Sequence, residues 1–143
     1  MSQEDAVREV LERCARAISD KDAAAVIACY TEDVVAYDLA PPLVIPSERE
    51  TDPTHLEKWF ATWDGQIVSL AKDMHVRADN IIAYAFALRQ MTGRKIDGEN
   101  VNLWFRGTAT LVKESSGWKI SHVHNSVPFA MDGSGKAELG LKP

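Results

Sequence analysis

The stretch from Val101 to Phe129, VNLWFRGTATLVKESSGWKISHVHNSVPF, constrains this chain more than any other. Two runs rich in Val, Ile, Leu, Trp, Phe and Thr flank Glu114-Ser115-Ser116-Gly117, a turn cluster closed by glycine, which predicts a long β-hairpin. With Ser115 and Ser116 as the loop, Glu114 pairs with Gly117. Side chains alternate faces with period two, so Leu111 is expected opposite Ile120, Ala109 opposite His122, and Gly107 opposite His124. One face would then carry Leu103, Phe105, Gly107, Ala109 and Leu111 with Trp118, Ile120, His122 and His124. That face is apolar except for its two imidazoles. The other would carry Trp104, Arg106, Thr108 and Thr110 with Lys119, Ser121, Val123 and Asn125. A bulge in either strand would swap these pairings.

Upstream, Ser2 and Asp5 have the spacing of a capping box, and Val7, Val10, Leu11, Cys14, Ala17 and Ile18 recur at helical intervals. Asp22 is placed to cap a second, shorter helix through Ala23, Val26, Ile27 and Tyr30. Val34 to Leu39 turns β-branched and aromatic, predicting a short strand with Asp38 at its far end and Pro41-Pro42 beyond it. Residues 40 to 52 read as a long ordered loop that could rim a pocket. Asp52-Pro53 starts a third helix carrying Leu56, Trp59, Phe60 and Trp63, with Gly65 as its stop. Two further apolar runs, Gln66 to Arg77 and Ile81 to Met91, flank the turn signal Ala78-Asp79-Asn80. Three N-terminal helices packed on a strongly curved antiparallel sheet give an α+β domain over residues 1–129. The remaining residues, 130–143, read as a mobile C-terminal tail.

The length of 143 residues suits one domain that buries a core without staples. A formal charge of −5, with 21 acidic and 16 basic residues and no Lys/Arg block, argues against nucleic acid or anionic membrane as partner. Cys14 and Cys29 fall on apolar helical stripes, where free thiols behave as small hydrophobes. No signal peptide or spanning segment is visible, so a cytoplasmic protein is expected.

The segment DKDAAAVIACYTEDVVAYDLAPP and the ending GWKISHVHNSVPF together resemble the SnoaL-like group of the nuclear transport factor 2 superfamily. The resemblance covers about residues 2 to 129 and implies a cone-shaped α+β fold. It also implies a range of activities that includes steroid isomerases, polyketide cyclases, dehydratases and epoxide hydrolases, alongside binding domains, so fold does not fix function. Asp38 falls where the ketosteroid isomerases keep their general base, whereas their oxyanion tyrosine and second Asp fall near Cys14 and Ala109. The Arg-x-Asp of limonene epoxide hydrolase meets Arg106-Gly107-Thr108. An Asp with two His, as in scytalone dehydratase, is matched by residue type with Asp38, His122 and His124.

Asp38, His122 and His124 are therefore the candidate catalytic residues. Asp38 would take a proton beside a carbonyl if it faces a dry cavity; otherwise it accepts backbone N–H bonds from the following loop or pairs with an Arg. Two histidines two apart on a strand point the same way, as a catalytic pair, as ligand donors, as two of three metal ligands with Asp38 as the third, or as core groups satisfied by backbone. Trp59, Trp63, Phe86 and Phe105 are candidate walls for an apolar ligand, with core packing as the alternative. Trp104 and Arg106 suit a homodimer surface on the opposite face. With a different register, Arg106 would enter the cavity and suggest a carboxylate-bearing ligand. The expected function is binding of a small apolar organic carbonyl compound, with isomerase, dehydratase or cyclase chemistry that needs neither cofactor nor metal. A non-catalytic ligand-binding or dimeric interaction domain is the alternative.

Overall fold

The computed structural model describes residues 1–143. Helix α1 runs from Gln3 to Ser19 and opens on the anticipated box: the Asp5 N–H donates to Ser2 Oγ at 3.1 Å and the Ser2 N–H to Asp5 Oδ2 at 3.2 Å. Its buried residues, Val7, Val10, Cys14 and Ala17, fall three or four apart and form one stripe. Asp22 caps α2, Ala23–Ile27, by accepting from the Ala25 N–H at 3.0 Å. Strand β1, Tyr30–Tyr37, follows, and Asp38 stands just past its end.

Residues 40–52 contain a cis Pro41–Pro42 bond and a single helical turn, α3, Ser47–Glu50. Ile45 exchanges two backbone bonds with Ala36, at 3.1 and 2.9 Å, which fastens this loop beside β1. Helix α4, Pro53–Phe60, starts where expected but stops short of Gly65. Thr62 closes it, its hydroxyl donating to the Trp59 carbonyl at 2.7 Å. Trp63 consequently belongs to strand β2, Trp63–Ala78, and does not share a helix with Trp59.

Strands β2, β3 (Ile82–Lys95), β4 (Asn100–Glu114) and β5 (Gly117–Ser126) form an antiparallel meander. The sheet order is β1-β5-β4-β3-β2, and β1 lies parallel to β5, the one departure from an antiparallel sheet. The sheet curls around α1 without closing. Its curvature coincides with register shifts in β2, where Gly65 and Asp73 take positive φ of 82° and 55°. The core joins the α1 stripe to Val76, Ala83, Ala85, Ala109, Leu111, Trp118 and Ile120. Opposite α1, β3 and β4 present Ala85, Ala87, Gly107 and Ala109 to the concave side, and these small residues leave a space between helix and sheet.

The closing hairpin has the expected turn, with Glu114 opposite Gly117 and Leu111 opposite Ile120. Beyond that point the register differs. Ser121 is an extra residue in β5, so Thr110 pairs with His122, Thr108 with His124 and Gly107 with Asn125. The Ser121 hydroxyl lies 2.9 Å from Thr110 Oγ1 and donates to the Thr110 carbonyl at 3.1 Å, which fixes the bulge. The expected pairs Ala109–His122 and Gly107–His124 do not form. Both histidines turn to the convex face with Trp104, Arg106, Thr108 and Thr110, and Val123 and Asn125 take the concave side. After β5 the chain doubles back, with Ala130 and Glu138 N–H groups bonded to the Lys136 and Pro128 carbonyls at 2.7 and 2.8 Å.

Candidate active site

The unfilled space is a cavity of about 420 Å³ between α1 and the concave sheet, within the usual range for a small-molecule site. Most of its wall is apolar: Leu11, Ala15 and Ile18 from α1, Met74 from β2, and Ala85 and Val123 from the sheet. Its polar groups come from different strands. Tyr30 is contributed by β1, Asn125 by β5, Arg89 by β3 and Ser69 by β2. Arg8, Glu12 and Cys14 face it from α1.

Asn125 joins this cavity to Asp38. Its side chain lines the wall, and its amide donates to Asp38 Oδ1 at 3.2 Å. Asp38 Oδ1 also accepts the Leu39 N–H at 2.7 Å, the loop bond foreseen as the alternative for this residue. Asp38 itself is exposed and lines the open groove at the strand ends, not this cavity. Its negative charge is felt by two neighbours. Burial foremost, and then Asp38, raises the Glu50 carboxyl above the usual carboxylate range. Burial also holds the Tyr30 phenol well above its ordinary value, reinforced by Cys14, Glu50 and Asp38. The Cys14 thiol is pushed up by its contact with Cys29 and by burial, so the wall beside Tyr30 stays protonated. Asp38, an acceptor carboxylate, thus lies close enough to Tyr30 and Glu50 for its charge to raise both.

The histidines are placed elsewhere. His122 Nδ1 lies 2.6 Å from the Val35 carbonyl, and its ring meets Tyr37 edge-on at 4.7 Å. His124 also meets Tyr37 edge-on, at 5.4 Å. His124 and Asp38 do share an open groove of about 630 Å³ at the ends of β1 and β5, whereas His122 lines neither space. No group of three or more His, Cys, Asp or Glu side chains is placed to hold a metal.

The four aromatic candidates also separate. Trp63 is 3 % exposed, lies in the core, and has Lys95 Nζ at 3.9 Å from its ring centroid. Trp59 packs edge-on to it at 5.7 Å, away from the cavity. Phe86 contributes to the wall between Ala85 and Ala87, but by strand alternation its ring is convex-side and stacks on His75 at 4.8 Å. Phe105 is buried on the concave side with the Arg89 guanidinium over its ring at 5.7 Å. Trp104 and Arg106 lie on the convex face, but the histidines expected on the opposite side share it with them.

Tyr30, Glu50, Arg89 and Asn125 were not singled out by sequence reasoning. Tyr30 looked like the end of a helix and Glu50 like loop charge. The alternation of Arg89 with Ala85 and Ala87 was the available signal for an inward arginine. Asn125 could be placed only with the bulge known.

Residues 7–130 match the sequence profile of the SnoaL-like domain. Among solved structures, a nuclear transport factor 2-like protein of unknown function from Pseudomonas putida is 28% identical, with a TM-score of 0.85 over 98% of this chain and 96% of its own. A candidate scytalone dehydratase from Novosphingobium aromaticivorans is 14% identical, with a TM-score of 0.77 over 97% of this chain and 94% of its own. A ketosteroid isomerase-like protein from Erwinia carotovora atroseptica is 19% identical, with a TM-score of 0.72 over 87% of this chain and 95% of its own. At 14 and 19% identity these last two show the fold alone. None of the curated proteins matches the sequence. No helix is long and apolar enough to cross a membrane.

Proposed function

Because the chain belongs to the SnoaL-like domain family, in which one cavity serves several chemistries, we propose that it is a cofactor-independent acid–base enzyme of isomerase, dehydratase or cyclase type. Its substrate is a small, largely apolar carbonyl compound. The observation that carries this reading is the pairing of unlike groups across Asn125: Asp38, which only accepts hydrogen bonds, is tied by that residue to the cavity lined by Tyr30, whose phenol is held protonated by burial. Asp38 takes the proton next to the carbonyl. The Tyr30 phenol donates a hydrogen bond to the oxygen as charge develops on it, and the protonated Asp38 carboxyl returns the proton.

The histidines have no part in this scheme. Their place on the convex face, with Tyr37, Tyr84 and Phe86 each more than 40% exposed, supports a homodimer formed through that face. Sedimentation of wild type and of Phe86→Asp tests this, with a dimer that dissociates in the variant as the expected result.

The test of the chemistry is proton exchange in deuterated buffer, followed by NMR on a panel of β,γ-unsaturated and β-hydroxy ketones. Wild type is expected to exchange or convert at least one of them. Asp38→Asn should lose at least about 100-fold of that rate, with an unchanged melting temperature. Full activity in Asp38→Asn removes it from the mechanism. The exposure of Asp38 favours a second reading, a non-catalytic binding domain, which predicts panel members that bind without exchange.

A further inference from the structure

Arg89 has no role in the acid–base scheme, and its surroundings hold it in one place. Its stem lies against Gly107, where a Cβ would fall 2.9 Å from Arg89 Cδ and 3.4 Å from Cγ. The guanidinium carbon stands 5.7 Å from the centroid of the Phe105 ring, and Nη2 donates to Ser69 Oγ at 2.7 Å. A glycine, an aromatic face and a hydroxyl therefore fix the stem, one face and one nitrogen of a group with five N–H donors. The remaining donors have no carboxylate of the chain as partner. A charge removed from water without a counter-ion is costly, and a pre-positioned, half-buried guanidinium at a mostly apolar wall recovers that cost when an anion arrives.

The other charged groups on the wall do not supply that anion. Arg8 is a second cation, with one bond to the Met74 carbonyl at 3.3 Å and no glycine or aromatic face against its stem. Glu12 faces the cavity from α1 and forms no ion pair with Arg89. The positive charge of Arg89 acts on the cavity lining, as its lowering contribution at Cys14 indicates, although contact with Cys29 and burial outweigh it there.

We propose that Arg89 is the anchor for a ligand carboxylate, and that the cavity takes a small monocarboxylate with an apolar body. The planar fork of a guanidinium matches the two oxygens of a carboxylate. The cavity, at about 420 Å³ and with an apolar majority in its wall, suits one charged end and not several. Arg89 on β3 and Asp38 beyond β1 are separated by β4 and β5. A molecule reaching both carries its carboxylate several bonds from the carbon that loses a proton. This inference shares with the acid–base reading the premise that the cavity is a ligand site, but it does not require Asp38 to be a base.

The test is calorimetric titration with hexanoate, octanoate, phenylacetate and 4-phenylbutanoate, each compared with its primary amide, at pH 7.5. Wild type is expected to bind at least one acid roughly tenfold or more tightly than its amide. Arg89→Gln should erase that preference and Arg89→Lys should keep part of it. Asp38→Asn should retain it in full even though proton exchange is lost, which separates this inference from the catalytic one. Equal binding of acid and amide by wild type overturns the proposal. So does a preference that survives in a folded Arg89→Gln, or no saturable binding of any acid. The wild-type comparison decides the matter even where Arg89→Gln fails to fold.

Discussion

Asn125 donates its side-chain amide to Asp38 at 3.2 Å across the parallel seam between β5 and β1. That bond ties a residue of the cavity wall to a carboxylate of the neighbouring groove, and it exists only because the β5 bulge turns Asn125 to the concave side. Asn125→Leu should therefore lower the proton-exchange rate about tenfold, as loss of one hydrogen bond to a charged group does. An unchanged rate would mean that Asn125 only fills space.

Glu50 gives a pH signature. Burial, and then the charge of Asp38, raises its folded-state value above the ordinary 4.5. Protonated Glu50 thus contributes stability that is fully present below that ordinary value and is lost as pH rises through the folded one. Glu50→Gln, which mimics the protonated form, should be the more stable protein above this window and nearly indistinguishable below it. Urea unfolding midpoints between pH 4 and 8 check this; a glutamine variant weaker at pH 8 contradicts it.

His122 is bonded to the Val35 carbonyl at 2.6 Å and packed on Tyr37. His122→Ala should cost about 1 kcal/mol of stability, read by chemical denaturation, and should leave exchange in the cavity unaltered. A large loss of activity at full stability would return the histidine to the site.

Gly93 lies under Trp63. A Cβ there would sit 2.9 Å from Trp63 Cζ3 and 3.2 Å from the Gln66 carbonyl oxygen. The indole is nearly fully buried and covered by Lys95, so it has little room to yield. Gly93→Ala should destabilise the fold by about 1–3 kcal/mol, seen as a lowered melting temperature.

Much of this molecule follows from local rules that the sequence carries on its face. The caps at Ser2, Asp22 and Asp52 need only side chains that reach N–H groups two or three residues on, and the α1 stripe needs only the helical period. The Ser115-Ser116 turn sets the first pairs of the hairpin, Glu114–Gly117 and Leu111–Ile120, and alternation along β4 puts Phe105, Gly107 and Ala109 inside. Placing Asp38 at the end of the first strand required no more than the β-branched run before it and the prolines after it.

Tertiary structure decided which neighbours Asp38 has. A strict two-residue period places His122 and His124 with the core, and a single additional residue, Ser121, reverses that by bonding to Thr110 on the neighbouring strand. β1 then pairs with the shifted strand, bringing Val35 to His122 and Asp38 to Asn125. Tyr30 and Arg89 likewise line one cavity only when the sheet curls round α1. The sequence determined the elements because capping, turn formation and alternation act over a few residues. The curled sheet decided the site, because the bulge and the parallel seam depend on pairing between segments far apart in the chain.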